Sequence, residues 1–545
     1  MQHYDVVVIG SGFGGSVAAL RLTEKGYKVL VLEAGARFED KDFAKNSWQL
    51  KKFLFFPKLG LLGIQRIDLL NNVMVMSGAG VGGGSLVYAN TLYRPSDEFF
   101  NTGSWAKITG WKKALEPYYD QAERMLGVEV NPFESNSDRA VKKVADRLGF
   151  GDTYRLTPVG VHFGKANRDP YFGGEGPIRN SCINCGECMT GCRHNAKNTL
   201  VKNYLYLAEK GGAEVRELST VTNLEKTAIG FSISVRATNG KKSYELTADQ
   251  VVVAAGALGS AKLLQRMKAA GKLNLSDRLG HLSRTNSESL LGVVSSDKSI
   301  DFSEGSAITS SVYPDAHTHI EPVRYGHGSN FMAFMQSVMA SGKKLKTPNF
   351  GRLLLATLKN LHKLPSFYNL RSWSERTLIL LVMQSKDNSL ITYRKGNRLT
   401  SKQGTGEPNP AWVQAGHEFA KELAKDIRGT AGAVTTEAFG IPMTAHFLGG
   451  ATIASTPEEG VVDGYLRAFG VGGLHIFDGS TLSANPGVNP SLSITAQAEW
   501  ACAHWPNKGD KDPRPASGFK LVAVIAPKNP LVPKTAPAAL KLTIK

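Results

Sequence analysis

The sequence predicts an α/β protein, built as a Rossmann-type dinucleotide-binding unit that is discontinuous along the chain and carries an inserted α+β unit. Three observations support this. Strand, Gly-rich turn, helix and second strand follow one another between Tyr4 and Glu33. A second buried-strand pattern, Val251-Val-Val-Ala-Ala, turns through Gly256 into an apolar helix. Between them and a late Gly-rich region, residues 300–440 alternate short strands with helices. The expected organisation is a first unit over 1–300, an inserted unit over 301–440, a return over 441–505 and a Pro-rich tail over 506–545.

The β-branched run Tyr4–Ile9 ends in Gly10-Ser-Gly12-Phe-Gly14-Gly15, and a helix over Ser16–Lys25 and a strand over Lys28–Leu32 follow, closing on Glu33. Gly10 permits the tight turn, Gly12 lets backbone approach a pyrophosphate, and Gly15 lets helix pack on strand. The helix N-terminus faces the phosphates, and Glu33 is placed for a ribose diol. The segment Gly78-Ala-Gly80-Val-Gly82-Gly83-Gly84-Ser85, flanked by Val73, Val75, Leu86 and Val87, can lie against a flat ring with little side-chain hindrance. Trp105, Trp111, Tyr118 and Tyr119 fall in a helical stretch and read as core.

Four of the five cysteines form the run Cys182-x2-Cys185-x2-Cys188-x3-Cys192, inside a Cys-rich insertion at 181–193. This is the spacing of a bacterial ferredoxin run, with Arg193 where Pro usually follows. An iron–sulfur cluster is one reading, closed locally or with help from Cys502. Zinc, a redox disulfide and unliganded thiols are the others. Two segments combine cations with bulky apolar residues: Lys51–Leu62, and Lys343–Arg371 with Lys343, Lys344, Lys346, Arg352 and Lys359 among Leu353, Leu354, Leu358 and Leu361. Each can lie on an anionic bilayer or pack as a surface helix. The tail, with six prolines between Pro513 and Pro537, is expected to wrap as an extended chain.

Composition sets the outer limits. The 545 residues, 42% of them hydrophobic, exclude disorder and a small disulfide scaffold, and the 57 Gly exceed ordinary usage. The net charge of +18 predicts attraction to anions, but no nucleic-acid-binding module is present to receive one. No apolar run is long enough to span a bilayer, and no charged region or cleavage site precedes the first strand. A cytoplasmic protein without a cleavable signal is therefore expected, with peripheral contact to anionic membrane as a further reading.

The opening fingerprint ending in Leu32-Glu33-Ala-Gly35, the Gly80–Ser85 segment, His446-Phe-Leu-Gly449-Gly450, Asp478-Gly-Ser480 and Gly487-Val-Asn489-Pro490 occur in an order that resembles the glucose-methanol-choline (GMC) oxidoreductases. Gly191–Leu200 and Thr318–Tyr325 are most similar to the cholesterol-oxidase-like bacterial branch of that family. The resemblance implies non-covalent FAD held by Gly10, Gly12, Phe13, Gly14, Gly15, Glu33, Gly80, Gly83, Gly84, Ser85, Val221, Gly256, Asp478, Gly479 and Asn489. It also implies oxidation of a hydrophobic secondary alcohol, with sterols the leading class and O2 or an electron carrier as acceptor.

Alcohol oxidation needs a group to take the hydroxyl proton and donors that hold the oxygen. The motifs place these at His446 and Asn489; the position after the His, usually Pro in the family, is Phe447, which leaves backbone rigidity there open. Glu321 matches the carboxylate that moves a proton between ring carbons in an isomerisation. Its neighbour Arg324 offers an alternative role as a structural ion pair.

Overall fold

The computed structural model describes residues 1–340, 350–516 and 518–542. The first sheet grows from the opening strand Gln2–Ile9, which runs parallel to both Val29–Leu32 and Ser243–Val253. Val6, Val7 and Val8 are all fully buried, as a strand covered on both faces requires. Glu214–Arg216 extends the sheet at one edge. The long strand Ser243–Val253 does double duty: its first half pairs with an antiparallel ribbon, Gly230–Ala237 and Ser219–Thr227, and its last residues pair in parallel with Leu474–Ile476. The late part of the chain thus returns to the strand that lies beside Gln2–Ile9, so the first unit is discontinuous.

Helix Phe13–Glu24 follows that turn and packs beside the late helix Ser491–Ala503, which is buried along almost its whole length. A buried charge network ties the two together. Arg21 donates bidentately to Glu499 at 2.8 Å and to Glu24 at 2.8 Å, and Tyr204 donates to Glu499 at 2.6 Å. Trp105, Trp111, Tyr118 and Tyr119 are buried in the same core, around helix Trp111–Leu126.

The second sheet is antiparallel, in the order Thr318–Val323, Thr377–Gln384, Ser289–Ser295, Gly429–Val434, Gln336–Val338. Its middle strand, Ser289–Ser295, comes from the stretch the sequence assigns to the first unit. Side chains alternate across the sheet. Leu378, Leu380 and Val382 pack on helices Asn136–Leu148 and Gln414–Asp426, while Ile379 and Leu381 face the other way and line a large cavity against the first unit.

The tail carries no helix or strand among the described residues. It runs extended over the first unit, where Lys25 donates to Ile525 O at 2.7 Å and Ala538 donates to Tyr171 O at 3.0 Å. No helix among the described residues is long and apolar enough to cross a membrane. Of the second cationic apolar segment, residues 343–349, with Lys343, Lys344 and Lys346, lie outside the described residues; residues 350–371 form helix Phe350–Lys359 and short helical turns after it.

Candidate active site

A cavity of about 550 Å³ lies between the two units and collects the residues on which the sequence reading converges. Gly10, Gly12, Phe13, Gly14, Glu33, Gly83, Gly84, Val221, Gly256, Asp478, Gly479, His446 and Asn489 all line it. Gly15, Gly80, Ser85 and Glu321 stand behind its wall. A Cβ on Gly15 would sit 2.1 Å from Gly10 O, and Ser85 Oγ donates to Gly82 O and accepts from Leu200 N.

The dinucleotide end is shaped by what its glycines lack. Gly10 turns with φ of +103°, and a side chain there would meet Ala254 O at 2.3 Å. A Cβ on Gly12 would meet nothing within 4 Å, because that position opens directly into the cavity. The first N–H groups of helix Phe13–Glu24 have no side-chain cap, which leaves donors for an anion. The Gly80–Ser85 segment lies on this turn: Gly82 N donates to Ser11 Oγ at 3.0 Å, and Ser11 Oγ donates in turn to Glu33 at 2.7 Å. Glu33 also accepts from Gly35 N at 2.8 Å. Open glycine backbone, free helix donors and a buried acidic residue in one cleft are what FAD requires, so the residues fit that cofactor.

At the opposite end, His446 follows the short strand Met443–Thr444, which pairs in parallel with the strand leading into the Gly-rich segment, Met74–Gly78. Its Nδ1 lies 3.0 Å from Glu288 Oε2, an ion-pair approach rather than an aligned hydrogen bond. Glu288 is fully buried, accepts from Thr444 Oγ1 at 2.8 Å and Ala445 N at 3.1 Å, and so grips the backbone before the imidazole. His446 N donates to Thr444 Oγ1 at 2.9 Å. Beyond Phe447, Leu448 exchanges backbone hydrogen bonds with Arg284 at 2.7 and 2.9 Å, and Gly449 N donates to Gly479 O. These pairings supply the rigidity that a proline at 447 would otherwise give.

Asn489 opens helix Ser491–Ala503. The turn before it is clamped by the buried Asn286, which accepts from Gly487 N at 2.9 Å and donates to Val488 O at 3.0 Å. Asn489 Nδ2 donates to Glu321 Oε2 at 3.2 Å, and among the described residues none pairs with Asn489 Oδ1.

Glu321 is fully buried on strand Thr318–Val323, and burial pushes its carboxyl from 4.5 up to about 8, with the nearby Glu288 carboxylate adding to the rise and Asn489 opposing it. The alternative pairing with Arg324 does not form. Arg324 instead donates to Ser306 O, Ser135 Oγ and Thr309 Oγ1 at 2.7–2.8 Å. The closest basic side chain is His319, 3.9 Å away, which burial pushes down to about 3 and so keeps neutral.

Sequence reasoning missed Glu288 and Asn286. Thr285-Asn286-Ser287-Glu288 has the composition of a surface turn, yet all four residues are fully buried. The one available signal is a polar stretch set directly before an apolar strand, which ordinary loops share. Asp478 lines the cavity, and its side chain caps the following turn by accepting from Ser480 N at 2.8 Å.

The cysteines of the run are free. Cys502 lies away from them in helix Ser491–Ala503, in the field of Glu499 and Lys25, so it has no part in that loop.

Two GMC oxidoreductase family models match residues 179–278 and 384–498, and an FAD binding domain model matches residues 5–42. The chain is 52% identical to a cholesterol oxidase of Mycobacterium tuberculosis, over 99% of this chain and 97% of that protein. It is 42% identical to a cholesterol oxidase of Acinetobacter baumannii, over 93% and 95%. A solved structure of pyridoxine 4-oxidase from Mesorbium loti superposes with a TM-score of 0.59 at 17% identity, covering 91% of this chain and 98% of that one, a likeness of fold.

Proposed function

The chain belongs to the GMC oxidoreductases, FAD-dependent enzymes acting on CH–OH donors, and from that premise we propose that it oxidises the 3β-hydroxyl of a sterol and then isomerises the ketone to its conjugated form. The observation that carries this is that His446 and Asn489 line one cavity, with Glu321 held behind its wall by Asn489, and that the cavity's second wall is the apolar sheet face of Leu290, Val323, Ile379 and Leu381. That wall suits a rigid apolar ring system. The named activity of the two cholesterol oxidases points the same way.

Bound FAD supplies the acceptor for the hydride leaving the carbinol carbon. The protein's own residues do the rest. With Nδ1 against Glu288, His446 has Nε2 left to take the hydroxyl proton, and the Glu288 carboxylate offsets the charge that arrives. Asn489, fixed by the Asn286 clamp, holds the oxygen. Glu321, screened from water, shuttles a proton between ring carbons, a task suited to a carboxyl held near neutrality.

Access runs through the segments that combine cations with exposed apolar groups. Phe55 and Met335 line the cavity, and their neighbours Phe56 and Phe334 are exposed. Leu354, Leu355, Leu358 and Leu361 are half exposed or more, interspersed with Arg352, Lys359 and Lys363. Such a surface can rest on anionic lipid and admit a sterol from the bilayer. The deciding experiment for the substrate is anaerobic mixing of FAD-loaded protein with sterols and aliphatic alcohols, followed by O2 or dye. Rapid bleaching of the flavin absorbance by 3β-hydroxysterols is expected, and O2 or dye then identifies the acceptor. Faster bleaching by straight-chain alcohols would refute the sterol reading.

A further inference from the structure

The cysteine run belongs to no part of the chemistry above, yet the fold gathers it. All four cysteines line one small cavity, of about 10 Å³. The loop that carries them is wound by residues in the left-handed region, Asn184, Gly186 and Gly191, and is fastened where Gly186 N donates to Gly305 O and Gly305 N to Asn184 O, both at 2.8 Å.

Two features of the surroundings ask for negative charge inside that loop. Lys197 is 1% exposed and donates to three carbonyls, Leu86 O, Tyr88 O and Cys188 O, at 2.8–2.9 Å, but no carboxylate lies within ion-pair distance of it among the described residues. A buried ammonium without a counter-charge is costly, and an anionic metal–thiolate centre in the loop whose Cys188 carbonyl it holds would supply one. The second feature is a set of donors aimed at sulfur. Asn184 N donates to Cys182 Sγ at 3.4 Å, the backbone N–H groups of Glu187 and Ala307 lie near Cys185 and Cys188, and beside Cys188 the fully buried Asn90 amide has neither its nitrogen nor its oxygen hydrogen-bonded among the described residues. Donors of this kind stabilise thiolates and tune metal–sulfur centres.

We propose that Cys182, Cys185, Cys188 and Cys192 bind an iron–sulfur cluster, with Lys197 and Asn90 as its charge-balancing and hydrogen-bonding neighbours. The proposal does not rest on the sterol reading. A single zinc ion draws its thiolates close, with Zn–S bonds of about 2.3 Å. The only three metal-binding groups within 4.8 Å of one another among the described residues are instead Cys185, Glu187 and His194, and Glu187 is already engaged by Arg193 at 2.7 Å. No three of the four sulfurs lie within 4.8 Å of one another among the described residues, a wider spread than one four-coordinate zinc draws together and in keeping with the ferredoxin spacing of the run. The site also abuts the large cavity, because Met189 and Tyr88 line that cavity's wall.

The test is iron, zinc and acid-labile sulfide analysis of the full-length, FAD-loaded protein purified without oxygen, together with electron paramagnetic resonance before and after reduction. The expected result is about three to four iron atoms with matching sulfide per chain and a cluster resonance in one oxidation state. Cys182→Ser and Cys188→Ser should each lower the iron several-fold while the flavin absorbance is retained. Should Cys188→Ser fail to fold, Cys182→Ser and anaerobic reconstitution of the native protein with ferrous salt and sulfide carry the test. Zinc without sulfide, no iron after reconstitution of folded protein, or unchanged iron in Cys182→Ser would each overturn the assignment.

Discussion

Replacing Glu321 with Gln should remove one activity and strengthen the fold in a single step. The carboxyl is fully buried and meets one donor, Asn489 Nδ2 at 3.2 Å, which Gln can keep. Burial raises its pKa from 4.5 to about 8. Between those values the folded protein holds a proton that the unfolded chain has released, so stability falls as pH rises and levels off above about 8. At 1.36 kcal/mol for each tenfold change, the loss is on the order of 4 kcal/mol by pH 8. Glu321→Gln escapes it: wild type and variant should unfold alike in acid, and the variant should become progressively more stable toward alkaline pH. Isomerisation should fall by ~10²–10⁴-fold, the usual worth of a general base. The assay supplies the unconjugated ketone directly, so oxidation is bypassed, and follows the ultraviolet absorption of the conjugated product. In wild type that rate should rise with pH to a midpoint near 8, as the carboxyl ionises. Three results would refute the reasoning: isomerisation within tenfold of wild type, oxidation lost in equal measure, or a stability gap that does not widen with pH.

The remaining predictions concern the cofactor end and the surface. Gly12→Leu should fold, since a Cβ there meets nothing, but should lose FAD at least tenfold in affinity by filling the cavity; Gly14→Ala, whose Cβ would sit 1.8 Å from Phe477 O, should fail to fold. Flavin absorbance against circular dichroism separates the two outcomes. Leu355→Asp with Leu358→Asp, on an exposed helix face, should leave oxidation of detergent-dispersed substrate intact and abolish sedimentation with anionic vesicles; retained sedimentation would exclude this face as the contact.

Much of the fold is legible in the sequence because its signals are local. The run Tyr4–Ile9, the glycine turn and Val251–Val253 declare strands and their connections through periodicity and turn chemistry. Helix Ser491–Ala503 is legible as apolar, though its burial on nearly every side depends on both sheet and neighbouring helix. What is not legible is long-range. Glu288 and Asn286 act on His446 and the Gly487–Asn489 turn, 158 and 201 residues or more away in sequence, through contacts that no spacing rule encodes. The same holds for Glu321: its sequence context offers Arg324 as a partner, but the fold sends the guanidinium to Ser135, Ser306 and Thr309 instead.

Glu288 links the two proposed steps, and its removal should move them in opposite directions. Its carboxylate stands against His446 at 3.0 Å, so Glu288→Gln withdraws the charge that offsets a proton arriving on the imidazole. The attraction between two close charges at the effective dielectric of a protein site is worth on the order of 2–4 kcal/mol, which predicts a loss of roughly 30–1,000-fold in the rate of flavin bleaching by alcohol. The same carboxylate also helps hold Glu321 in its neutral form by repulsion. Without it Glu321 ionises more readily, so the pH midpoint for isomerising the unconjugated ketone should shift downward in the variant. A merely structural Glu288 would slow both reactions together and leave that midpoint in place. The opposed response also bears on the order of the proposed events: a proton received by His446 would cancel part of the Glu288 field and relieve the repulsion on Glu321 at the moment the proposed second step needs a base.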